Sequence, residues 1–198
     1  TREIWNFRLK GMNRLNLFGK NLEKDIVVIA ELGVNHAGSI DWIMNMLPKL
    51  KEARASAVKL QLFTPDLYSS RSNEKRHQFL KSVYISKQDF SRIVNFANEL
   101  KLPIFATPLS HDWVQFIADI CGVIKIASGD FTFRPTVQAA LESKAMVIAS
   151  TGGVSENEVL EFIGIAKSTR VNIRESVALL HCVAAYPPDR KSTRLNSS

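Results

Sequence analysis

The sequence is poor in several features that would point to a specialised class. It has two cysteines in 198 residues, so a disulfide-stapled secreted scaffold is excluded. Cys121 and Cys182 lie in or beside apolar runs. That placement predicts buried, reduced thiols and a cytoplasmic setting. No apolar stretch reaches the roughly 18 residues of a membrane span, and the N-terminal residues carry no signal-peptide core. No GxGxxG or P-loop pattern follows any apolar run. No CxxC, HxxxH or carboxylate cluster offers a complete metal site. The formal net charge is +7, but the last ten residues hold three Lys/Arg against one Asp, and the remaining excess is scattered. Without a basic run interleaved with aromatics, nucleic-acid binding is disfavoured; a small anionic substrate suits the mild positive excess better.

What is present is a series of short apolar runs that end in polar groups: VVIAELGVNH (27–36), AVKLQLF (57–63), PIFATPLS (103–110), VIKIASGD (123–130), MVIASTGG (146–153) and VALLHCVAAYP (177–187). They predict strands at 26–31, 57–62, 103–107, 123–127, 146–150 and 177–182. Their Val, Ile, Leu and Ala content lacks the polar alternation of half-exposed strands, as parallel sheets require. Helix signals alternate with them. Ser39 can cap 40–53, which Pro48 should kink or interrupt. Ser86 with Asp89 introduces 87–100, and a short helix follows Ser110 near 111–119. Pro135 suits the first turn of 135–142, and Ser155 with Glu158 reads as a capping box for 156–167. His77 and His111 fall in predicted loops and receive no role.

Six βα units at most result, the last without its helix. A doubly wound sheet would gather polar groups at one switch point. Here they stand at the end of every predicted strand, as in a (β/α)8 barrel whose mouth is its site. A complete barrel usually takes about 250 residues, so the expected fold is α/β, an incomplete TIM barrel. The expected organisation is a segment over 1–24, open between a preceding segment, a misplaced start and a small N-terminal hairpin, and a partial barrel over 25–188. The tail DRKSTRLNSS (189–198) has no apolar period and resembles one reading frame of a sequencing adapter; natural sequence is expected to stop near Pro188.

The runs also carry candidate site residues. Lys59 and Lys125 occupy equivalent places in two runs, and a buried ammonium costs several kcal/mol unless it is paired. Two of them predict an anionic ligand. Gln61 shares the parity of Lys59. Glu31 at the end of the first run can act as acid or base; helix capping or ion pairing is its structural alternative. Asn35 and His36 follow, with His36 at even odds between structure and ligand. Thr107, Ser128, Asp130 and the turn STGG from Ser150 add hydroxyls, a carboxylate and backbone amides that can cradle phosphate. His181 and Cys182 must point to opposite faces of their strand; the reading preferred is a substrate-facing His181 and a buried Cys182, with Tyr186 beyond.

In order and spacing, AELGVNHAGS, AVKLQLF, FATPLS, IKIASGD, IASTGG and LLHCVAAYP resemble the sialic acid synthase family over roughly Ile26 to Pro188. The resemblance implies a (β/α)8 barrel followed by a small antifreeze-like domain, in a homodimeric cytoplasmic transferase. It implies condensation of phosphoenolpyruvate with the open-chain aldehyde of an N-acyl amino sugar, giving a nonulosonic acid and phosphate, with manganese or magnesium polarising the aldehyde. By resemblance, Lys59, Thr107, Lys125, Ser128 and Ser150 bind the phosphate and carboxylate of phosphoenolpyruvate. Glu31 serves proton transfer, so that Glu31 and Lys125 are the candidate catalytic groups. Gln61, Asp130 and Tyr186 contact the amino sugar. The family's metal-binding histidines belong to motifs beyond Pro188, so this chain is expected to lack metal ligands and to be inactive alone, with its first and sixth strands as unpaired edges that invite aggregation. Ala37, Phe133 and Ala184 depart from residues frequent in the family and leave the acyl sugar open. Two rival functions remain at this point: a Schiff-base barrel aldolase using Lys125 or Lys59, and a non-catalytic phosphate- or sugar-binding module.

Overall fold

The structure is a computed structural model that describes residues 16–22, 24–169 and 172–185. Six strands form one parallel sheet in the order of the sequence: β3 (Ile29–Gly33), β4 (Ala57–Leu62), β5 (Ile104–Pro108), β6 (Val123–Ile126), β7 (Met146–Ser150) and β8 (Val177–Leu180). Each strand pairs with the next, and no strand returns to the other edge. A doubly wound sheet reverses its strand order at a switch point; one-way progression is the winding of a (β/α)8 barrel. The fold is therefore a partial barrel, with β3 and β8 as its edges. Leu179 and Leu180 of β8 are 39% and 40% exposed.

The connecting helices are α1 (Ile40–Glu52), α2 (Pro65–Tyr68), α3 (Glu74–Ser82), α4 (Lys87–Glu99), α5 (Val114–Cys121), α6 (Arg134–Glu142), α7 (Glu156–Thr169) and α8 (Ile173–Ser176). The caps follow the side-chain chemistry. Ser39 accepts from the Trp42 amide, and Ser86 accepts from the Asp89 amide. Ser155 and Glu158 exchange hydrogen bonds as a capping box does. Gly122 ends α5 with φ +66°, a left-handed C-terminal cap.

Side chains on alternate strand positions serve two cores. Leu60, Leu62, Ile104, Ala106, Ile124, Ile126, Val147 and Ala149 pack against the helices in the main core, with Ile43, Phe90, Ile93 and Trp113 among their partners. The opposite face begins with an apolar layer of Ala57, Phe105 and Ile148, joined by Ile29, Val123, Met146 and Ala178. This layer is sealed by a short antiparallel hairpin, β1 (Asn16–Leu17) with β2 (Lys20–Asn21). Its turn residues Phe18 and Gly19 both have positive φ, +52° and +76°, the primed geometry that suits hairpin twist. Leu17 is buried in the layer, and the Phe18 ring lies 5.3 Å from that of Phe105. Because Ile29, Ala57, Val123 and Met146 are first residues of their strands, the hairpin plugs the N-terminal end of the sheet. The polar residues are thereby left at the other end.

Three sequence expectations need correction. The first strand lies at 29–33 rather than 26–31, because its ladder opens only where β4 begins, at Ile29 opposite Ala57; Ile26 and Val28 are 83% and 56% exposed. Pro48 does not interrupt α1, which runs through it to Glu52 with Pro48 on the exposed face. The stretch between β4 and α4 is not a plain loop. It holds α2, started by Pro65 after Thr64, and α3, capped by Asn73 accepting from the Arg76 amide. His77 is therefore helical and buried, with Nε2 2.9 Å from Asp66 Oδ1. Tyr186 and the tail 189–198 lie outside the described residues.

Candidate active site at the C-terminal ends of the strands

The site is built from the strand parity that continues above the apolar layer. Ile29 lies inside, so Glu31 follows it on the same face; Ala57 is followed by Lys59 and Gln61, Phe105 by Thr107, Val123 by Lys125, and Ile148 by Ser150. Register then sets the heights. Glu31 pairs with Lys59, and Gln61 pairs with Thr107.

Two linked groups result. In the first, Lys59 Nζ forms an ion pair with Glu31 Oε2 and reaches Thr107 Oγ1 at 3.4 Å. The other Glu31 oxygen, Oε1, accepts from the Gly33 amide at 3.1 Å. Gly33 has φ +50°, and a Cβ there would sit 3.6 Å from Glu31 Oε1 and 3.9 Å from Gln61 Nε2, so both side chains border Gly33. In the second group, buried Lys125 donates to Ser150 Oγ at 2.5 Å and to the Ile126 carbonyl at 2.8 Å. Beside it, Ser128 Oγ accepts from the Gly152 amide at 3.1 Å. A Cβ at Gly152 would lie 2.9 Å from Ser128 Oγ and 3.3 Å from Cys182 Cβ. Glycine is needed there for the approach of three segments.

The two groups feel one another. Burial and, after it, the nearby Lys59 ammonium lower Lys125 to about 8 against the opposing pull of Cys182, Glu31 and Asp130. Burial raises the Asp130 carboxyl, and Lys125 partly offsets that. Lys59 thus has its carboxylate in Glu31. The contacts of the Lys125 ammonium are both to neutral oxygens. This sharpens the sequence argument: of the two lysines, Lys125 is the one with an unmet demand for negative charge.

Glu31, Lys59, Gln61, Thr107, Lys125, Ser128, Asp130 and Ser150 are therefore drawn to one mouth. His181 follows the end of β8 and is exposed, and among the described residues no contact joins it to the lysines. Cys182 takes the inward place instead. Ala178 belongs to the inner layer, and counting by twos from it reaches 182 rather than 181. That count was available in the sequence once Ala178 was known to face inward. A neighbouring network is structural: Ser110 and Thr64 both donate to the Asp112 carboxylate, at 2.7 and 2.6 Å, and Trp113 Nε1 donates to Thr64 Oγ1. It locks the end of β4 to the end of β5. Cys121 is an inert thiol, pushed up to about 12 by burial. Among the described residues, no three His, Cys, Asp or Glu side chains group closely enough to hold a metal ion.

The model of the NeuB family matches residues 46–197. The chain belongs to the NeuB family. Among curated relatives of this NeuB chain, the N,N'-diacetyllegionaminic acid synthase of Legionella pneumophila is 29% identical across 86% of this chain and 52% of its own length. The N-acetylneuraminate-9-phosphate synthase of Drosophila melanogaster is 26% identical across 91% and 51%. The chain spans about half the length of the curated relatives it matches. Among solved structures, the N-acetylneuraminic acid synthetase of Leptospira borgpetersenii, in complex with citrate, superposes with a TM-score of 0.77 at 27% identity, over 84% of this chain and 57% of that one. These named relatives are thus synthases of sialic-type acids, and the partial barrel matches part of the fold of one of them. No helix among the described residues is long and apolar enough to cross a membrane.

Proposed function

We propose that the protein to which this chain belongs condenses phosphoenolpyruvate with the aldehyde of an N-acyl amino sugar, forming a nonulosonic acid and releasing phosphate. The observation that carries this reading is Lys125: a buried ammonium whose contacts are neutral oxygens, 2.5 Å from Ser150 Oγ, beside the Ser128 hydroxyl and the Gly152 amide. A phosphate dianion supplies the charge this ammonium lacks and accepts hydrogen bonds from the surrounding donors. Lys59 and Thr107 extend the cradle toward the carboxylate of the same substrate.

In the reaction, C3 of the enol attacks the aldehyde carbon and forms the new C–C bond. The positive charge left at C2 is quenched by the oxygen of water. Phosphate then departs with the former bridging oxygen by C–O cleavage, leaving a 2-keto acid. Lys125 offsets the phosphate charge throughout. Glu31, held by Lys59 and the Gly33 amide, is assigned the proton transfer, taking a proton from the attacking water or giving one to the new alkoxide. Gln61, Asp130 and Tyr186 are assigned to the amino sugar. The full protein is expected to work as a cytoplasmic homodimer without membrane or nucleic-acid partners. Resemblance calls for a divalent metal, manganese or magnesium; the described carboxylates Glu31 and Asp130 both lie within reach of lysine charge, and they do not make a metal site. No step is therefore assigned to a metal on these residues.

The test uses full-length protein, phosphoenolpyruvate carrying 18O at its bridging oxygen, and a panel of N-acyl amino sugars with and without manganese. Sugar-dependent release of labelled phosphate is the expected result. Absence of release with every sugar would overturn the proposal.

One observation favours a second reading. With Lys125 lowered to about 8, about a tenth of it is neutral at pH 7, and a neutral amine can form a Schiff base. Borohydride reduction in the presence of a keto acid traps Lys125 if that reading holds and leaves it unmodified in the synthase.

A further inference from the structure

We propose that His36 is a positioning residue for Glu31: its imidazole accepts the Gly38 amide and holds the 33–38 turn in the shape that points the Glu31 carboxylate at Lys59. The proposal rests on the proton-transfer role assigned above to Glu31. The turn joins β3 to α1 at the mouth, and its path is unfavourable. Gly33, Ala37 and Gly38 have φ of +50°, +47° and +82°. For Ala37 the left-handed region carries a steric penalty, and such a conformation persists only where its surroundings over-determine it.

The surroundings are visible. Asn35 donates to the Leu32 carbonyl at 3.0 Å, Ala37 to Val34 at 3.1 Å, and Ser39 to the His36 carbonyl at 2.8 Å. A Cβ at Gly38 would meet the Ser82 carbonyl oxygen at 2.2 Å, so the turn is pressed against the end of α3. At its centre the His36 ring is 1% exposed, and Nδ1 accepts from the Gly38 amide at 3.0 Å. Only the neutral ring can accept there. Burial keeps it neutral, pushing His36 below its ordinary value by more than the nearby Gly33 backbone raises it. At the other end of the turn, the Gly33 amide donates to Glu31 Oε1. Pinning Gly38 thus fixes Gly33, and Gly33 fixes the carboxylate.

The choice of histidine is informative. With Nδ1 accepting, the proton sits on Nε2, which makes no well-formed hydrogen bond among the described residues, although the Gly33 backbone acts on the ring. The well-formed contact of the ring is the one at Nδ1, where it accepts from the Gly38 amide. The ring is explained by its acceptor.

The experiment compares His36→Ala, His36→Asn and His36→Gln in the full-length protein. Asn puts an acceptor oxygen near the place of Nδ1, whereas Gln puts its amide nearer Nε2. Losing the pin misplaces Glu31, so His36→Ala is expected to lower kcat about tenfold or more while KM for phosphoenolpyruvate stays within about threefold. His36→Asn is expected to recover to within about threefold of wild type, and His36→Gln is not. Hydrogen exchange at the Gly38 amide should be slow in wild type and His36→Asn and fast in the other two. Wild-type kcat and slow exchange in His36→Ala would overturn the proposal, as would rescue by Gln but not Asn. If His36→Ala does not fold, the Asn and Gln variants decide. If wild type releases no phosphate with any sugar, the synthase reading falls, and Gly38 exchange still upholds or overturns the pin by itself.

Discussion

Binding of phosphoenolpyruvate should draw a proton onto Lys125. In the free protein that ammonium is buried and held at about 8, so about half of it is neutral at pH 8 and about a tenth at pH 7. A phosphate dianion within about 4–6 Å favours the charged form by about one to three pKa units. Taking the middle of that range, the bound lysine stays protonated to about pH 10. Net uptake per ligand is then about 0.1 proton at pH 7, about 0.5 at pH 8 and about 0.8 at pH 9. Calorimetric titration of phosphoenolpyruvate in buffers of different ionisation enthalpy measures this number directly. Lys125→Met should abolish the pH-dependent uptake and weaken affinity by about 30- to 160-fold, the loss expected when one charge-assisted contact of about 2–3 kcal/mol is removed. Lys59→Met tests the neighbour, whose charge is already matched by Glu31; because that ammonium also lowers Lys125, its loss should reduce the uptake without abolishing it, burial being the larger cause. Zero uptake from pH 7 to 9 in wild type, or the same uptake in Lys125→Met, would refute the assignment of Lys125 as the anion's counter-charge.

The same lysine should shape stability in the absence of ligand. Its folded value of about 8 lies below its ordinary 10.5, so between these pH values the unfolded chain binds more protons and wild-type stability rises with pH relative to Lys125→Met. The full difference is about 3 kcal/mol; the cost is wholly present below pH 8, and denaturant melts of the two proteins across pH 7.5–10.5 would show parallel rather than converging curves if the burial argument fails. Gly152→Ala should cost about 1–3 kcal/mol and weaken phosphoenolpyruvate binding, because its Cβ enters the 2.9 Å gap to Ser128 Oγ; isothermal titration and thermal melts check both, and unchanged affinity would count against the cradle. Phe90→Ala should cost about 3–5 kcal/mol without touching the mouth, since Phe90 is fully buried against Trp113 and Phe116; a loss under 1 kcal/mol in a urea melt would contradict the core assignment.

The alternating runs, the caps at Ser39, Ser86 and Ser155, and the parity of Lys59 with Gln61 were all legible before any coordinates, because strand and helix periods are local and a capping side chain reaches only two or three residues. One-way strand order, by contrast, could be argued from polar strand ends but is decided by pairing between segments far apart in sequence. The helices α2 and α3 escaped notice because the stretch they occupy is polar and short, with its start signals at Pro65 and Asn73 standing in for an apolar period. A small hairpin was among the forms expected of the N-terminal segment, but its role as a plug through Leu17 and Phe18 was not legible, since two apolar residues in a polar segment announce nothing until Phe105 lies beneath them. At the mouth, residue types and parity by themselves determined which groups could share a face. Only the tertiary structure decided who pairs with whom: Glu31 was free to be acid, cap or counter-ion until register set it against Lys59. Cys182 took the place expected of His181 because the inward count starts at Ala178, and a strand's facing depends on what packs beside it. Sequence constrains chemistry along the chain, whereas burial and Coulomb's law act through space, and Lys125 is depressed only once the fold has buried it and β4 has brought a second ammonium near it.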